Sequence, residues 1–515
     1  MLTRRRFLQA MGMGGVALAA ARMGDAAGAE PKRPNVLYIM SDDHCAQAIG
    51  AYGGHLAKLN PTPTIDALAR DGMRFDRVFC HNSICTPSRS NIITGQYSQT
   101  NGVLDLSGKL PPEKEYLPQE MKRAGYHTAM IGKWHLKNEP SSFDYYCVLP
   151  GQGKYFNPDF RIRGDKPWPR NLITKDGQHS SDAVTDIGIQ WLKGGWDRAK
   201  PFFLMHHFKA PHDMFQNAKR YESYLEDVTI PEPGNLHNQP GEGFGSEATR
   251  TYGAGVTKNH PSWGLGRKLG IDSKLPEPEY GKAVYQKFLK RYLRCVKGVD
   301  DNVKRIVDYL REIGELDNTV IMYTGDQGYF LGEHDFMDKR WMYEESMRMP
   351  FIVRYPKLAK AGSTNGWLIN NTDFAPTILE LAGAKTPNYM QGRSFAPALR
   401  GQPKPGDWRK VTYYRYWMHM AHGLRVPAHF GIRGERYKLI FFYGCDPKGR
   451  NKTPVAWEFY DLQKDPHEMT NEYANPEYAK IIADMKVQLK HTREELCETD
   501  EKYPEIQKII DEHWD

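Results

Sequence analysis

The chain has 515 residues, 26% of them charged and 12% aromatic, with a formal net charge of +8. That length exceeds what one hydrophobic core serves and points to two domains. The mild positive charge, without zinc-finger spacing or an RRM-type signature, gives no case for nucleic acid as a partner. Seven cysteines, scattered from Cys45 to Cys497, are too few for a disulfide framework; with Cys85 set aside, any pair or none can bridge.

At the amino terminus, Thr3-Arg-Arg-Arg-Phe-Leu-Gln9 is a twin-arginine pattern. A weakly apolar Ala/Gly/Met run and the small-residue site Ala27-Gly-Ala29 follow it. Residues 1–29 therefore read as a leader for export of a folded protein by the Tat machinery, with a periplasmic or secreted destination. The run is too short and Gly-rich for a spanning helix, and no stable membrane anchor is expected.

From there, apolar runs alternate with helical patterns, which predicts an α/β catalytic domain over residues 30–385. Its core is a large mixed, mostly parallel sheet sandwiched by helices. The readable strands are Asn35–Met40, His127–Ile131, Phe202–His207, Thr319–Tyr323 and Phe351–Arg354, and the clearest helix is Tyr285–Ile313. The carboxyl ends of four strands run into Asp42-Asp43, Lys133 and His135, His212, and Asp326-Gln327. Open α/β sheets bind ligands at that edge. Asp42, Asp43, Asp326 and the amide oxygen of Gln327 form an all-oxygen donor set, suited to Ca²⁺ first and Mg²⁺ second, and poor for zinc.

Between the first two strands lies Cys85-Thr-Pro-Ser-Arg-Ser-Asn-Ile-Ile-Thr-Gly95. Thr86 is suited to cap a short helix, Pro87 to its first position and Gly95 to its end. Cys85 would then sit at the positive end, where an oxyanion is favoured. Cys80 and Cys85 are close enough in sequence to pair, but a bridge would consume the group that the motif singles out.

With these residues on the page, the chain resembles a type I, formylglycine-dependent sulfatase of the alkaline phosphatase superfamily. The likeness runs from Pro34-Asn-Val-Leu through Gly325-Asp-Gln-Gly-Tyr-Phe-Leu-Gly-Glu-His334 to Glu458-Phe-Tyr-Asp-Leu-Gln-Lys-Asp-Pro466. It implies an alkaline-phosphatase-like fold, and a Cys85 converted to formylglycine by a maturation enzyme. It also implies calcium held by Asp42, Asp43, Asp326 and Gln327 with residue 85 beside it, and a sulfate surrounded by Arg89, Lys133, His135, His212 and Lys339. Within the family, the residue after the third Asp is commonly Asn or His; Gln327 places its carbonyl one methylene further out.

The remaining segments concern the substrate. Residues 231–275, rich in Gly, Pro and Ser, predict a long surface loop on the pocket rim. From residue 386 to 515 a smaller α+β subdomain is expected, with strands Lys410–Arg415 and Tyr437–Tyr443 and a polar helix near 477–496. His334, Trp417, His422 and Arg425 are candidates for contact with a sugar ring, by stacking and charge-assisted hydrogen bonds; a buried aromatic core is the alternative. Phe143–Gly153 is similar to sulfatases acting on glucosamine or N-acetylglucosamine 6-sulfate, which favours a hexosamine 6-O-sulfate within a glycosaminoglycan, mucin or algal polysaccharide. A phosphonate or phosphodiester hydrolase of the same superfamily, and a glycan-binding protein without catalysis, are the other readings.

Overall fold

The computed structural model describes residues 33–237, 244–260 and 263–515; the twin-arginine leader lies outside them. No helix among the described residues is long and apolar enough to cross a membrane.

The central element is β1 (Asn35–Asp42), buried along its whole length. It pairs in parallel with β7 (Phe202–Pro211) on one side and β8 (Thr319–Gly325) on the other. Beyond β7 lie β3 (His127–Lys133), β4 (Tyr145–Leu149), β5 (Asp159–Ile162) and β6 (Leu172–Thr174). Beyond β8 come β11 (Arg348–Arg354), β2 (Met73–Phe79) and β12 (Ser363–Asn365), with β13 (Ile369–Asn370) also on β2. The expected Phe351–Arg354 strand is therefore present, but antiparallel to both neighbours.

Strand alternation sends Val36, Tyr38 and Met40 to one face and Leu37 and Ile39 to the other. Both faces are dry because helices cover both, which is why β1 reads as an unbroken apolar run rather than an alternating one. On the Leu37 face lie α1 (Pro63–Arg70), α4 (Ser180–Gln190) and the long α5 (Glu279–Glu312). On the Val36 face lie α2 (Cys85–Thr94), α3 (Tyr116–Arg123) and α6 (Phe374–Leu381). Each fully buried Leu, Ile, Val or Phe contributes about 1.5–3 kcal/mol to holding these layers. The start of α1 has no local side-chain cap. Asp300 of α5 supplies one from a distance, accepting from the amides of Thr64 and Ile65 at 3.0 and 2.9 Å.

A second sheet, β14 (Val411–Tyr416), β15 (His429–Gly434), β16 (Tyr437–Phe442) and β17 (Ala456–Asp461), is antiparallel throughout. One face, with Phe430, Leu439 and Phe441, packs on α7 (Ala479–Glu495) and α8 (Pro504–His513) through Ile482, Leu489 and Ile506. The opposite face, with Tyr414, Tyr416, Ile440 and Phe442, joins the core on the Val36 side of the large sheet. The described part of 231–275 is largely irregular, as expected, apart from one short helix at Leu265–Lys268, yet it is not a superficial loop. Phe244, Ala248, Ala254, Val256 and Leu265 are buried. Asp335 ties the segment down, accepting from Thr257 N and Oγ1 at 2.7 Å each and lying 3.1 Å from His260 Nδ1. Side-chain acceptors here replace the missing strand or helix partners, which composition could not reveal.

Candidate active site and metal centre

The sheet edge expected to carry function is where the ionisable side chains converge. At the end of β1 the register with β7 shifts between Ser41 and Asp42, freeing the chain to turn. Asp43 then takes a left-handed φ of 64°, a conformation Asp tolerates better than most residues. At the end of β3, Gly132 has φ 97°, and a Cβ there would lie 1.9 Å from the His207 carbonyl oxygen; only glycine lets β3 approach β7 this closely before Lys133 emerges.

Asp42, Asp43 and Asp326 bring carboxylate oxygens within 4.8 Å of one another, all three buried. The Asp43 amide donates to Asp326 Oδ1 at 3.1 Å, and Gln327 Nε2 donates to Asp43 Oδ1. Three cations and one histidine face these carboxylates. Arg89 Nε and Nη2 reach Asp326 Oδ2 at 3.0 and 2.9 Å. Lys133 pairs with Asp42 and also donates to Gln152 Oε1 at 2.5 Å. Lys339 Nζ bridges both oxygens of Asp43 at 2.7 Å. His212 Nε2 lies 3.8 Å from Asp43 Oδ2.

Burial works to raise the Asp42 carboxyl, but Lys133, His212 and Arg89 outweigh it and hold it well below the usual range. Asp326 is pushed up to about 7 by burial and the neighbouring Asp42 charge, against Arg89. Three buried carboxylates, one forced toward protonation, with the Gln327 carbonyl oxygen buried and without a hydrogen-bond partner, are an all-oxygen donor set with one acceptor left unused. They fit a hard divalent cation bound through oxygen.

Cys85 is the first residue of α2, with its Sγ 3.2 Å from Asp42 Oδ1. Burial and the Asp42 charge push its thiol well above the ordinary value, so the side chain as encoded is a poor nucleophile. No bridge to Cys80 is formed; both thiols are free. Gly95 ends the helix in the left-handed conformation, as its position predicts. Thr86 does not cap it: the cap position is Ile84, which gives no side-chain bond, and Pro87 is the third helical residue. The Thr86 hydroxyl instead donates to the His135 carbonyl at 3.1 Å and lies 3.5 Å from His135 Nδ1. This contact anchors a residue with φ 58°. Burial, then Lys133, push the His135 ring well below the ordinary histidine value, so it is neutral and available as a base.

Catalytic and metal candidates thus meet at one place, whereas the sugar-contact candidates divide. His422 and Arg425 are exposed, and His422 Nδ1 lies 3.5 Å from Arg340 Nη2. His334 and Trp417 are corrections. His334 is fully buried, stacked on Phe244 and Tyr343 at 4.7 and 5.4 Å. Trp417 belongs to the core beneath the second sheet, with the Arg415 guanidinium 3.6 Å above its ring. Aromatic and basic residues in sequence proximity mark either a sugar platform or a cation–π core, and only burial separates the two.

Other residues in or beside the site were not singled out from sequence. Gln152, the acceptor for Lys133, falls inside the Phe143–Gly153 stretch. Asp338 and Arg340 flank Lys339 after a short ribbon of β9 (Phe330–Leu331) and β10 (Met337–Asp338), with Arg340 Nε 2.8 Å from Asp338 Oδ2. The alternating charges of Asp338-Lys339-Arg340 were the available signal. Asp213 sits 2.5 Å from His212 Nδ1.

A family model for sulfatases matches residues 34–384, and one for the C-terminal part of N-sulphoglucosamine sulphohydrolases matches residues 332–495. The chain is 38% identical over 513 residues to an N-acetylglucosamine-6-O-sulfatase of Bacteroides thetaiotaomicron, covering 92% of this chain and 88% of that protein. It is 28% identical over 408 residues to an N-acetylglucosamine-6-sulfatase of Capra hircus, covering 75% and 66% respectively. A solved protein in complex with D-glucosamine-2-N,6-O-disulfate superposes with a TM-score of 0.82 at 37% identity, over 92% of this chain and 100% of that one. Such a family generally implies a formylglycine and a divalent metal. From the cation-lined carboxylate site to the match along most of its length, the chain belongs to the sulfatase family of the alkaline phosphatase superfamily and is a sulfuric ester hydrolase.

Proposed function

We propose that the protein is a Tat-exported, calcium-dependent carbohydrate sulfatase that removes the 6-O-sulfate of a sulfated hexosamine, acting in the periplasm or outside the cell after Cys85 is matured to formylglycine. The observation that carries the substrate class is the 38% identity to an N-acetylglucosamine-6-O-sulfatase over 92% of the chain. The solved neighbour holding a 6-O-sulfated glucosamine supports it. The leader motif supports export.

Asp42, Asp43, Asp326 and Gln327 would hold calcium, and Cys85 would carry the formylglycine. Together these groups supply a nucleophilic oxygen and a fixed double positive charge. The rest of the chemistry belongs to this chain's own side chains. A sulfate ester is anionic, so an attacking oxygen is repelled unless cations surround it; Arg89, Lys133 and Lys339 place three within one buried site. His212 is placed to hold a proton at Nε2 for the departing sugar oxygen. His135, neutral and anchored by Thr86, is placed to take one up afterwards. Around the sugar, Arg340, Asp338 and Arg425 would offer charged donors and acceptors for ring hydroxyls, and His422 a polar ring nitrogen.

The test begins with protein from a host that contains a formylglycine-generating enzyme. The peptide holding Cys85 is expected to be lighter by about 18 Da, the change from thiol to aldehyde. Sulfate release is then followed from N-acetylglucosamine 6-sulfate, its 3-sulfate isomer and a phosphodiester in parallel. Preference for the 6-sulfate, lost on chelation and restored by calcium, is the expected result. A preference for the phosphodiester, or an unmodified thiol in active enzyme, would overturn the reading.

A further inference from the structure

His212 is held at more points than a general acid needs. Its amide donates to the Lys209 carbonyl at 3.2 Å, and its own carbonyl accepts from Phe215 N at 3.2 Å and from the Tyr155 hydroxyl. With the main chain fixed, what remains is the ring, and Asp213 engages its Nδ1 twice, through its main-chain carbonyl oxygen at 3.0 Å and through its carboxylate. Asp213 Oδ1 lies 2.5 Å from His212 Nδ1 while Nε2, on the far side of the ring, faces Asp43 at 3.8 Å. Burial opposes a charge on Asp213, yet His212, Lys339 and Lys209 outweigh it and keep the carboxylate ionised. Lys209 has a part in this. It is a buried lysine whose ammonium sits 4.7 Å from the Tyr155 ring centre, and no carboxylate among the described residues lies within ion-pair distance of it.

We propose that Asp213 is a positioning residue for the leaving-group step, fixing the ring of His212 so that Nδ1 keeps its proton and Nε2 faces the ester. An ionised carboxylate only accepts hydrogen bonds, so it selects the form of the ring with hydrogen on Nδ1. When the bond between sulfur and the sugar oxygen breaks, its electron pair goes to that oxygen. The proton on Nε2 neutralises it, leaving a neutral imidazole still protonated at Nδ1, to be reprotonated at Nε2 from water. A carboxamide in place of Asp213 carries no charge and can turn an N–H toward Nδ1 in competition with the main-chain carbonyl, weakening the hold on the Nδ1 proton.

This rests on the sulfate-ester reading above, so the test has one arm that depends on activity and one that does not. In the first, Asp213→Asn is compared with wild type on a hexosamine 6-sulfate, whose leaving alkoxide needs a proton, and on a nitrophenyl sulfate, whose phenolate leaves without one. The expected result is a kcat lower by roughly 10²-fold on the sugar ester and within about threefold on the aryl ester, with thermal midpoints unchanged. The double variant Asp213→Asn, His212→Ala should be no slower on the sugar ester than His212→Ala alone. In the second arm, long-range proton–nitrogen spectra of wild type, assigned by the signal lost in His212→Ala, should show His212 protonated at Nδ1, and Asp213→Asn should move that proton. Equal losses on both esters, no loss on either, or an unchanged nitrogen spectrum would overturn the proposal. Inactivity of wild type on the sugar ester counts against the substrate reading instead, and the nitrogen spectrum still decides Asp213.

Discussion

Among single residues the sharpest contrast is between Asp42 and Asp326, two carboxylates of one cluster held in opposite directions. Lys133 and Arg89 hold the first ionised, whereas burial and its neighbour's charge drive the second up to about 7. A bound cation relieves that conflict, so Asp326→Asn should lower calcium affinity by at least about tenfold and sulfate release by roughly 10²-fold, measured by calcium titration of activity. On the proposed reading Arg340 serves the sugar. Arg340→Ala should raise KM for the hexosamine sulfate by about tenfold, the loss of a charge-assisted bond, and change KM for an aryl sulfate little. Cys85, Arg89, Lys133, His212 and Asp326 were legible because each lies in the cysteine motif or where an apolar run stops. Gln152, Asp213 and Arg340 were not, because what matters about them is a partner brought close only by folding. His334 was misread for the opposite reason: its neighbours in sequence are functional, but its own ring is buried in an aromatic stack.

Among elements, the strands were easier to read than the helix starts. Both faces of the sheet centre are covered, so β1, β3, β7, β8 and β11 are largely apolar runs and could be read, whereas β2, with Arg74, Asp76 and Arg77, could not, and the caps of α1 and α2 come from residues remote in sequence or not at all. The Asp300 cap has a consequence that pH exposes. Burial pushes its carboxyl up to about 6, from an ordinary 3.8, despite the bonds from Thr64 and Ile65 that favour the charged form. The folded state therefore binds this proton more tightly than the unfolded one. The stabilisation is complete below pH 4 and is lost as pH rises through 6, with an upper bound of roughly 3 kcal/mol. Asp300→Asn has no proton to lose. Its stability deficit relative to wild type, measured by urea midpoints at pH 5 and pH 7.5, should therefore shrink at the higher pH; a deficit that grows would contradict the assignment.

Over the whole molecule, the two sheets share a core: Tyr414, Tyr416, Ile440 and Phe442 of the second pack into the cluster that holds Val36 and Met40 of the first. Neither part can open without exposing the other. Unfolding followed by tryptophan fluorescence and by calorimetry should therefore give one transition with one midpoint, and two resolved transitions would show the sheets to be independent. The Asp338-Lys339-Arg340 triplet joins the same two parts. Lys339 belongs to the anion site, and Arg340 reaches Tyr416 Oη of the second sheet at 2.9 Å. On the proposed reading, this one triplet carries both a group that meets the sulfate and a group that meets the sugar. Lineages of this enzyme are consequently not at liberty to remodel the ribbon in pursuit of new substrates, since any shift in it also disturbs the chemistry. The exposed turn holding His422 and Arg425 meets the triplet only where His422 Nδ1 lies 3.5 Å from Arg340 Nη2, and on that reading it is the freer of the two to vary.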